Sequence, residues 1–176
     1  PQVSQLFDRT EVLVNLCGAT RLRDEHLGIP VRIYLETDPV VPQIEVAQGR
    51  AFTIDLLGAH THQFTYGESL GCPDCDVPLD RFEYQATRQP IILDWWTSPH
   101  SNGKKPPPPA GCFTTVANWY QSGKNIQWNG ETYTWSKHLE FLKFIDLPRR
   151  TQDRLELALA SIDTEAVRML TANGWQ

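Results

Sequence analysis

Two histidines and two cysteines lie close together in the stretch HTHQFTYGESLGCPDC, which runs from His60 to Cys75. Imidazole nitrogens and thiolates are ligands that a tetrahedral zinc ion prefers, and Cys72 and Cys75 have the two-residue spacing of a zinc knuckle. His60 and His62 would complete the set, although a structural zinc site usually contains two closely spaced pairs of that kind. The alternative is that both cysteines are small buried residues of a loop and that one histidine caps a helix end. The sequence leaves both interpretations open.

Polar side chains next to two candidate strands suit acid–base chemistry. Glu36 and Asp38 end the segment YLETDP, and ligands of open α/β sheets bind at the carboxyl ends of the strands. His62 lies near the start of the candidate strand QFTY. A carboxylate or an imidazole at such a position can act as a general base toward a hydroxyl group. The alternative role is to cap the following helix or to satisfy loop backbone groups.

A loop rich in glycine and aromatic residues, ANWYQSGKNIQWNGETYTW, follows another candidate strand. It contains Gly123 and Lys124, and its aromatic faces suit a sugar or a nucleotide. The alternative is a β-hairpin, because Asn129-Gly130 is the preferred pair of a type I′ turn. A hairpin does not exclude a ligand at its base.

Several common motifs are absent from the chain. It contains neither G-x-G-x-x-G nor G-x-x-x-x-G-K-[ST], so the usual phosphate loops are missing, and G-x-S-x-G is missing too. Phosphate binding would therefore depend on exposed backbone N–H groups of another loop.

The apolar pattern of the first part of the chain predicts an α/β arrangement. The segments 12–17 and 31–37 are almost continuously apolar, which indicates parallel strands covered on both faces. The spacing of apolar residues in 41–59 predicts one helix in spite of Gly49. Shorter strands are predicted at 63–66 and 91–96.

The second part repeats the pattern after GKKPPPPAG, residues 103–111, whose four prolines predict an extended linker. Strands are predicted at 113–119 and 155–161, with helices at 136–148 and after Asp163. Ser136 and Asp163 are the expected N-caps, and Asn173-Gly174 is the expected C-terminal cap, with Trp175 packing back. A two-stranded parallel sheet would leave one edge uncovered, and a second copy or other parts of the protein could cover it.

Charge and composition exclude some classes of protein. The chain has 176 residues and a formal net charge of -5, so a wide basic surface for nucleic acid is not expected. No apolar run is long enough to span a bilayer. Four cysteines are few for a disulfide scaffold of this size, and a reducing cytoplasmic location is expected.

Several linked segments together resemble a group of GT-B-type glycosyltransferases and glycosyltransferase-like proteins. The resemblance covers most of the chain and is carried by these segments: TDP followed by Gln43, QFTYGESLG, CDVP, TRQPIILDWW, FTTVANW, YTWSKHLEFLKFIDLPRRT, LELALAS and the closing NGW. It implies Rossmann-like parallel sheets in a two-domain architecture with both domains incomplete. Residues 1–102 would be the later part of an acceptor-side domain, 103–111 the linker, and 112–176 the first part of a donor-side domain.

The resemblance also implies an activity and a set of residues. Members of this group transfer a sugar from a nucleotide-sugar donor to an acceptor hydroxyl, in a cleft between two domains and without an obligatory metal or other cofactor. By resemblance, His62, Asp38 and Glu68 are the catalytic candidates. The donor diphosphate would lie near four residues of the second domain: Asn118, Trp119, Gly123 and Lys124. The segments that commonly supply the catalytic base and grip the nucleotide are absent, which predicts an incomplete active site.

Two other functions remain open at this point. One is a non-catalytic α/β binding or interaction module that uses the aromatic hairpin as its contact surface. The other is a small domain stabilised by zinc, and the resemblance makes it the weaker interpretation, because the Pro-Asp-Cys part of the loop fits the pattern of the group.

Overall fold

The computed structural model describes residues 2–96 and 111–176, which form an α/β protein. The chain divides into two compact units, Pro1–Ile91 with Ile126–Glu131, and Ile92–Asn125 with Thr132–Gln176. The proline-rich linker lies outside the described residues except for Gly111. None of the helices in the described ranges is both long and apolar enough to cross a membrane.

The first unit contains a parallel four-stranded sheet. Its strands lie side by side in chain order: β1 (Val12–Leu16), β2 (Val31–Glu36), β3 (His62–Thr65) and β4 (Tyr84–Ala86). Its helices are α1 (Gln2–Phe7), α2 (Asp24–Leu27), α3 (Val41–Ala47) and α4 (Ala51–Gly58). The parallel sheet and the first three strands are confirmed. The sequence did not predict β4, because its three residues form no apolar run.

Two of the predicted elements of this part are wrong. The single helix expected over 41–59 is two helices, because Gly49 has φ +74° and ends α3. The bonds Gly49 N–H to Val46 O and Arg50 N–H to Glu45 O, both 2.9 Å, complete a Schellman cap. The strand expected at 91–96 is instead a short helix, α5 (Leu93–Trp96).

The outermost strand β1 also differs from the prediction. Both faces were expected to be covered, yet the side chains of Val12, Val14 and Leu16 are exposed. These residues alternate along the strand and therefore share one face of the sheet. The core of the unit lies between β2 and the helices, where Tyr34, Val46 and Leu57 are buried together.

The second unit contains a parallel pair of strands, β5 (Cys112–Asn118) and β8 (Arg154–Ala160). Between them the chain forms a hairpin of β6 (Ile126–Trp128) and β7 (Glu131–Tyr133), of which Ile126–Glu131 belongs to the first unit. Asn129 and Gly130 both have positive φ, as a type I′ turn requires, which confirms the hairpin. The side chain of Val116 on β5 is exposed, as expected for a sheet that has two strands among the described residues.

The helix after the hairpin is shorter than predicted. It is α6 (His138–Leu142), followed by a 3-10 turn at Leu147–Arg149, whereas α7 (Thr164–Ala172) lies between its predicted caps. Ser136 was expected to cap α6, but the residue at the N-cap position is Lys137, which makes no side-chain cap bond. The expectation for Ser136 is wrong because its hydroxyl is bonded elsewhere. At the other end of the unit the cap at Asn173-Gly174 is confirmed, and Trp175 packs into the core with Trp119 and Leu170.

Replacing Asp163 with alanine is expected to lower the free energy of unfolding by about 1 kcal/mol. The Asp163 carboxylate caps α7, as the sequence predicts, by accepting a 2.8 Å bond from Ala166 N–H. Urea unfolding followed by circular dichroism measures the change. Asp163→Asn is the matched control, since asparagine caps equally well and should remain near wild type. An equal loss in both variants would mean that charge, and not the hydrogen bond, stabilises this helix.

Candidate functional site

The carboxyl edge of the first sheet carries polar groups from three strands. Asp38 follows β2, Glu68 follows β3 and Arg88 follows β4, so all three lie at the edge where ligands of open α/β sheets bind. Both carboxylate oxygens of Glu68 accept bonds from Arg88, at 2.7 Å from Nε and 2.8 Å from Nη2. These bonds hold the pKa of Glu68 below its usual value. Glu68 is therefore a charged, paired side chain rather than a free base.

His62 is not placed with the other two catalytic candidates. It is the first residue of β3 and lies beside Ile33, so it is at the amino end of the strand while Asp38 and Glu68 follow the carboxyl ends. Its ring is exposed and contacts the Thr61 hydroxyl at 2.8 Å. The structure brings Asp38 and Glu68 to one edge and leaves His62 at the other.

A buried carboxylate lies directly below the carboxyl edge. Glu36, at the end of β2, is only 2% exposed, and it accepts a 3.1 Å bond from the Tyr34 hydroxyl and a 3.3 Å bond from Asp38 N–H. Glu36 therefore fixes the backbone that presents Asp38. The Tyr34-x-Glu36 spacing places both side chains on one face of β2, which is the only sequence signal for this pair.

Two tyrosines next to Glu36 resist ionisation. Burial and then the charge of Glu36 raise the pKa of Tyr34 far above its ordinary value, and the same two causes raise the pKa of Tyr84. The geometry joins the side chains of Tyr84 and Gln43 by no hydrogen bond. The Tyr84 hydroxyl and Gln43 Nε2 are thus buried without a partner among the described residues.

The backbone beside this cluster is strained at one residue. Val40, just before α3, has φ 91°, a conformation that a β-branched residue rarely adopts. The Gln43 side chain accepts a 2.7 Å bond from Val40 N–H and so supports this turn. Strained turns of this kind are concentrated at functional sites. The strain at Val40 is therefore a second feature, beside the polar side chains, that marks this edge as a candidate site.

The four possible zinc ligands are not brought together. The His60 ring is already bonded on both sides, at 2.8 Å from Nδ1 to Leu56 O and 3.1 Å from Nε2 to Asn15 Nδ2. Its burial lowers its pKa, and with both ring nitrogens bonded within the fold it is a structural histidine. Within the described ranges, no three His, Cys, Asp or Glu side chains form a group that could hold a metal ion. The four cysteines are all free thiols.

The donor-side candidates of the second unit lie around the end of β5. Asn118 ends the strand, Trp119 is buried in the core at 1% exposure, and Gly123 turns the following loop with φ +99°. The Lys124 ammonium lies 4.1 Å from the ring centre of Trp135, so its charge is held against an aromatic face. Trp119 contributes packing, because it lies in the hydrophobic core of the unit. Its Nε1 is buried and makes no hydrogen bond to any described residue.

A cavity of about 320 Å³ opens beside these residues, within the second unit. Tyr120 and Leu139 supply its less polar wall, and the remaining lining is polar: Gln121, Ser122, Asn125, Thr134, Ser136 and His138. Ser136 Oγ lies 2.7 Å from His138 Nδ1, and Tyr120 lies against the His138 ring with centroids 4.7 Å apart. The volume and the mixture of hydroxyl, amide and imidazole groups suit a small polar organic ligand.

No protein-family model, curated protein or solved structure matches this chain. What the polar edge and the cavity can do must therefore be inferred from their own residues. Sequence reasoning found the loop after β5 but missed Gln121, Ser136 and His138. Their contacts join residues from both sides of the hairpin, as in the 3.0 Å bond from Gln121 N–H to Ser136 Oγ. The only sequence signal for the contact between Ser136 and His138 is that they are two residues apart.

The two tryptophans of the hairpin segment each contact another residue. Trp128 donates a 3.1 Å bond to Asp76 O, and Trp135 lies under Lys124. Each ring is therefore partly covered by contacts of its own. Nothing in these contacts favours the interaction-module hypothesis.

Proposed function

We propose that this chain carries donor-side and acceptor-side elements of a GT-B-type glycosyltransferase, which transfers a sugar from a nucleotide-sugar donor to an acceptor hydroxyl. The observation that carries the proposal is the polar cavity of about 320 Å³ at the carboxyl end of β5. Open α/β sheets bind nucleotides at this end of their strands. The resemblance of the linked segments supports the same assignment.

The first unit supplies groups suited to the acceptor. Asp38 is partly buried at the carboxyl edge, and its backbone N–H is fixed by Glu36. A carboxylate at this position can accept a proton from an acceptor hydroxyl as that hydroxyl attacks the sugar. Glu68 is committed to Arg88, so it is proposed to orient the acceptor and not to remove its proton. The exposed His62 has no part in the proposed chemistry.

Calorimetric titration of the purified chain with UDP, GDP, CDP and dTDP tests the proposal. At least one should bind with a dissociation constant between about 1 μM and 1 mM. Gln121→Met should weaken that binding about tenfold, because the variant removes a polar group of the cavity while keeping its volume. It should not lower the melting temperature, since Gln121 Oε1 is buried without a partner among the described residues.

Gln127→Met is the matched control. This glutamine is exposed on the hairpin and does not line the cavity, so its variant should bind as wild type does. Absence of binding for all four nucleotides at about 10 mM would contradict the proposed function. Equal weakening in both variants would place the binding site elsewhere.

A further inference from the structure

The hydroxyl of Ser136 determines which nitrogen of His138 carries the proton. Ser136 is 8% exposed, and its Oγ accepts a 3.0 Å bond from Gln121 N–H and donates a 3.2 Å bond to Trp119 O. A hydroxyl has one hydrogen and two lone pairs. We assign the hydroxyl hydrogen to Trp119 O, so that Ser136 accepts in its 2.7 Å contact with His138. On this assignment Nδ1 of His138 is the protonated nitrogen.

The other ring nitrogen of His138 is left as an acceptor. A neutral imidazole has one donor and one acceptor nitrogen, so protonation at Nδ1 leaves a lone pair on Nε2. In the part of the chain that the structure describes, Nε2 has no hydrogen-bond partner. The ring lines the cavity and is held by Tyr120 at 4.7 Å and Trp119 at 6.2 Å between centroids. It is an oriented acceptor at a wall of the cavity.

Gln121 supplies a second acceptor at the same wall. Its Oε1 is buried and makes no hydrogen bond to any described residue, a state that costs about 1–3 kcal/mol. If the amide rotates toward the cavity, a ligand hydroxyl can donate a hydrogen bond to this oxygen. That bond would remove the cost of leaving the oxygen unpaired. Among the residues that the structure describes, the lining contains no lysine or arginine, and Lys124 lies against Trp135. Two acceptors without a cation disfavour phosphate, which itself presents only acceptor oxygens.

We infer that the cavity binds a vicinal diol of a sugar ring, with His138 Nε2 accepting from one hydroxyl and Gln121 Oε1 from its neighbour. The inference rests on the proposed function, and it assigns to this cavity the sugar hydroxyls rather than the diphosphate of the donor. The diol belongs either to the ribose of the nucleotide or to the sugar that is transferred.

Long-range proton–nitrogen NMR spectra of the histidine rings test the first step without any ligand. At about pH 8, where histidine side chains are ordinarily neutral, His138 should be the Nδ1–H tautomer. Ser136→Ala should allow the Nε2–H tautomer to appear, because it removes the acceptor for Nδ1–H. A wild-type ring protonated at Nε2 would overturn the inference, whatever ligands bind.

Ligand titrations then separate the two sources of the diol. A shift of the His138 Nε2 resonance with UDP, lost with 2′-deoxy-UDP, assigns the site to ribose. A shift with methyl glucopyranoside, and none with the nucleotides, supports a diol site for the transferred sugar. That result counts against a nucleotide requirement, so the inference would hold although the proposed function fails. A shift with inorganic pyrophosphate but with no diol overturns the inference even if nucleotides bind.

Two variants complete the test. His138→Asn places an amide N–H where Nδ1–H was, so it keeps a donor for Ser136 and loses the Nε2 acceptor. Its affinity for the diol ligand should fall about tenfold, which is one hydrogen bond of about 1.4 kcal/mol. His62→Asn, in the first unit and exposed, is the matched control and should bind as wild type does. Unchanged affinity in a folded His138→Asn would overturn the inference.

Discussion

Replacing Trp119 with alanine is expected to destabilise the second unit by about 3–5 kcal/mol. Trp119 is 1% exposed and packs with Leu155, Ala166, Leu170 and Trp175, so its removal leaves a large cavity in a small core. The total stability of a domain is only about 5–15 kcal/mol. Loss of this side chain should therefore leave the unit marginally folded. Urea unfolding followed by circular dichroism measures the effect.

Two further variants show whether packing is the cause. Trp95→Ala changes the same residue type at a position that is 83% exposed, and it should alter stability by no more than about 0.5 kcal/mol. Trp119→Phe should lose less than half of the alanine effect, because the Trp119 Nε1 has no partner to lose among the described residues. A large loss in Trp119→Phe would reveal a hydrogen bond to that nitrogen.

The stability of the first unit is expected to fall steeply above about pH 10, the ordinary pKa of tyrosine. Burial and the charge of Glu36 raise the pKa values of Tyr34 and Tyr84, so the folded chain keeps protons that the unfolded chain releases. Their contribution is fully present below the unfolded-state pKa and is lost as the pH rises toward the folded-state values. Each tyrosine removes about 1.4 kcal/mol per pH unit in that range. The pair should therefore remove about 2.8 kcal/mol per pH unit.

Phenylalanine variants distinguish the two tyrosines. At pH 7, Tyr34→Phe should cost about 1.5–3 kcal/mol, because its hydroxyl donates to the Glu36 carboxylate. Tyr84→Phe should cost nothing or stabilise, because its buried hydroxyl has no partner among the described residues. Above pH 10 each variant should reduce the slope by one proton relative to wild type. Unfolding curves between pH 7 and about pH 11.5 would contradict this account if Tyr84→Phe left the slope unchanged.

The fold was predictable where apolar runs were long enough to identify strands. β1, β2, β5 and β8 came from such runs, and the hairpin came from Asn129-Gly130. β4 was missed because three residues carry no periodicity, and the break at Gly49 was missed because apolar spacing continues through it. The exposed face of β1 could not be read from sequence, since an apolar run does not reveal which neighbours cover it.

The candidate sites were predictable only in part. Asp38 was a candidate because it follows a predicted strand, and Glu68 was a candidate only through the resemblance; both lie at the carboxyl edge of the sheet. His62 was predicted near the start of a strand, and it is the first residue of β3, at the edge of the sheet opposite Asp38 and Glu68. The bond between Ser136 and His138 depends on how the chain returns after the hairpin, which no local pattern records. The buried state of Glu36 likewise depends on the tertiary packing around β2.

Amide chemical-shift mapping of the nitrogen-15-labelled chain with a mixture of UDP, GDP, CDP and dTDP tests the central claim most directly. A donor site in the second unit predicts shifts concentrated in residues 118–125 and 134–139, which surround the cavity. The shifts should weaken in Gln121→Met. Saturation without any shift in these two segments, or shifts confined to the loop containing Cys72 and Cys75, would contradict the assignment of this cavity to a nucleotide-sugar.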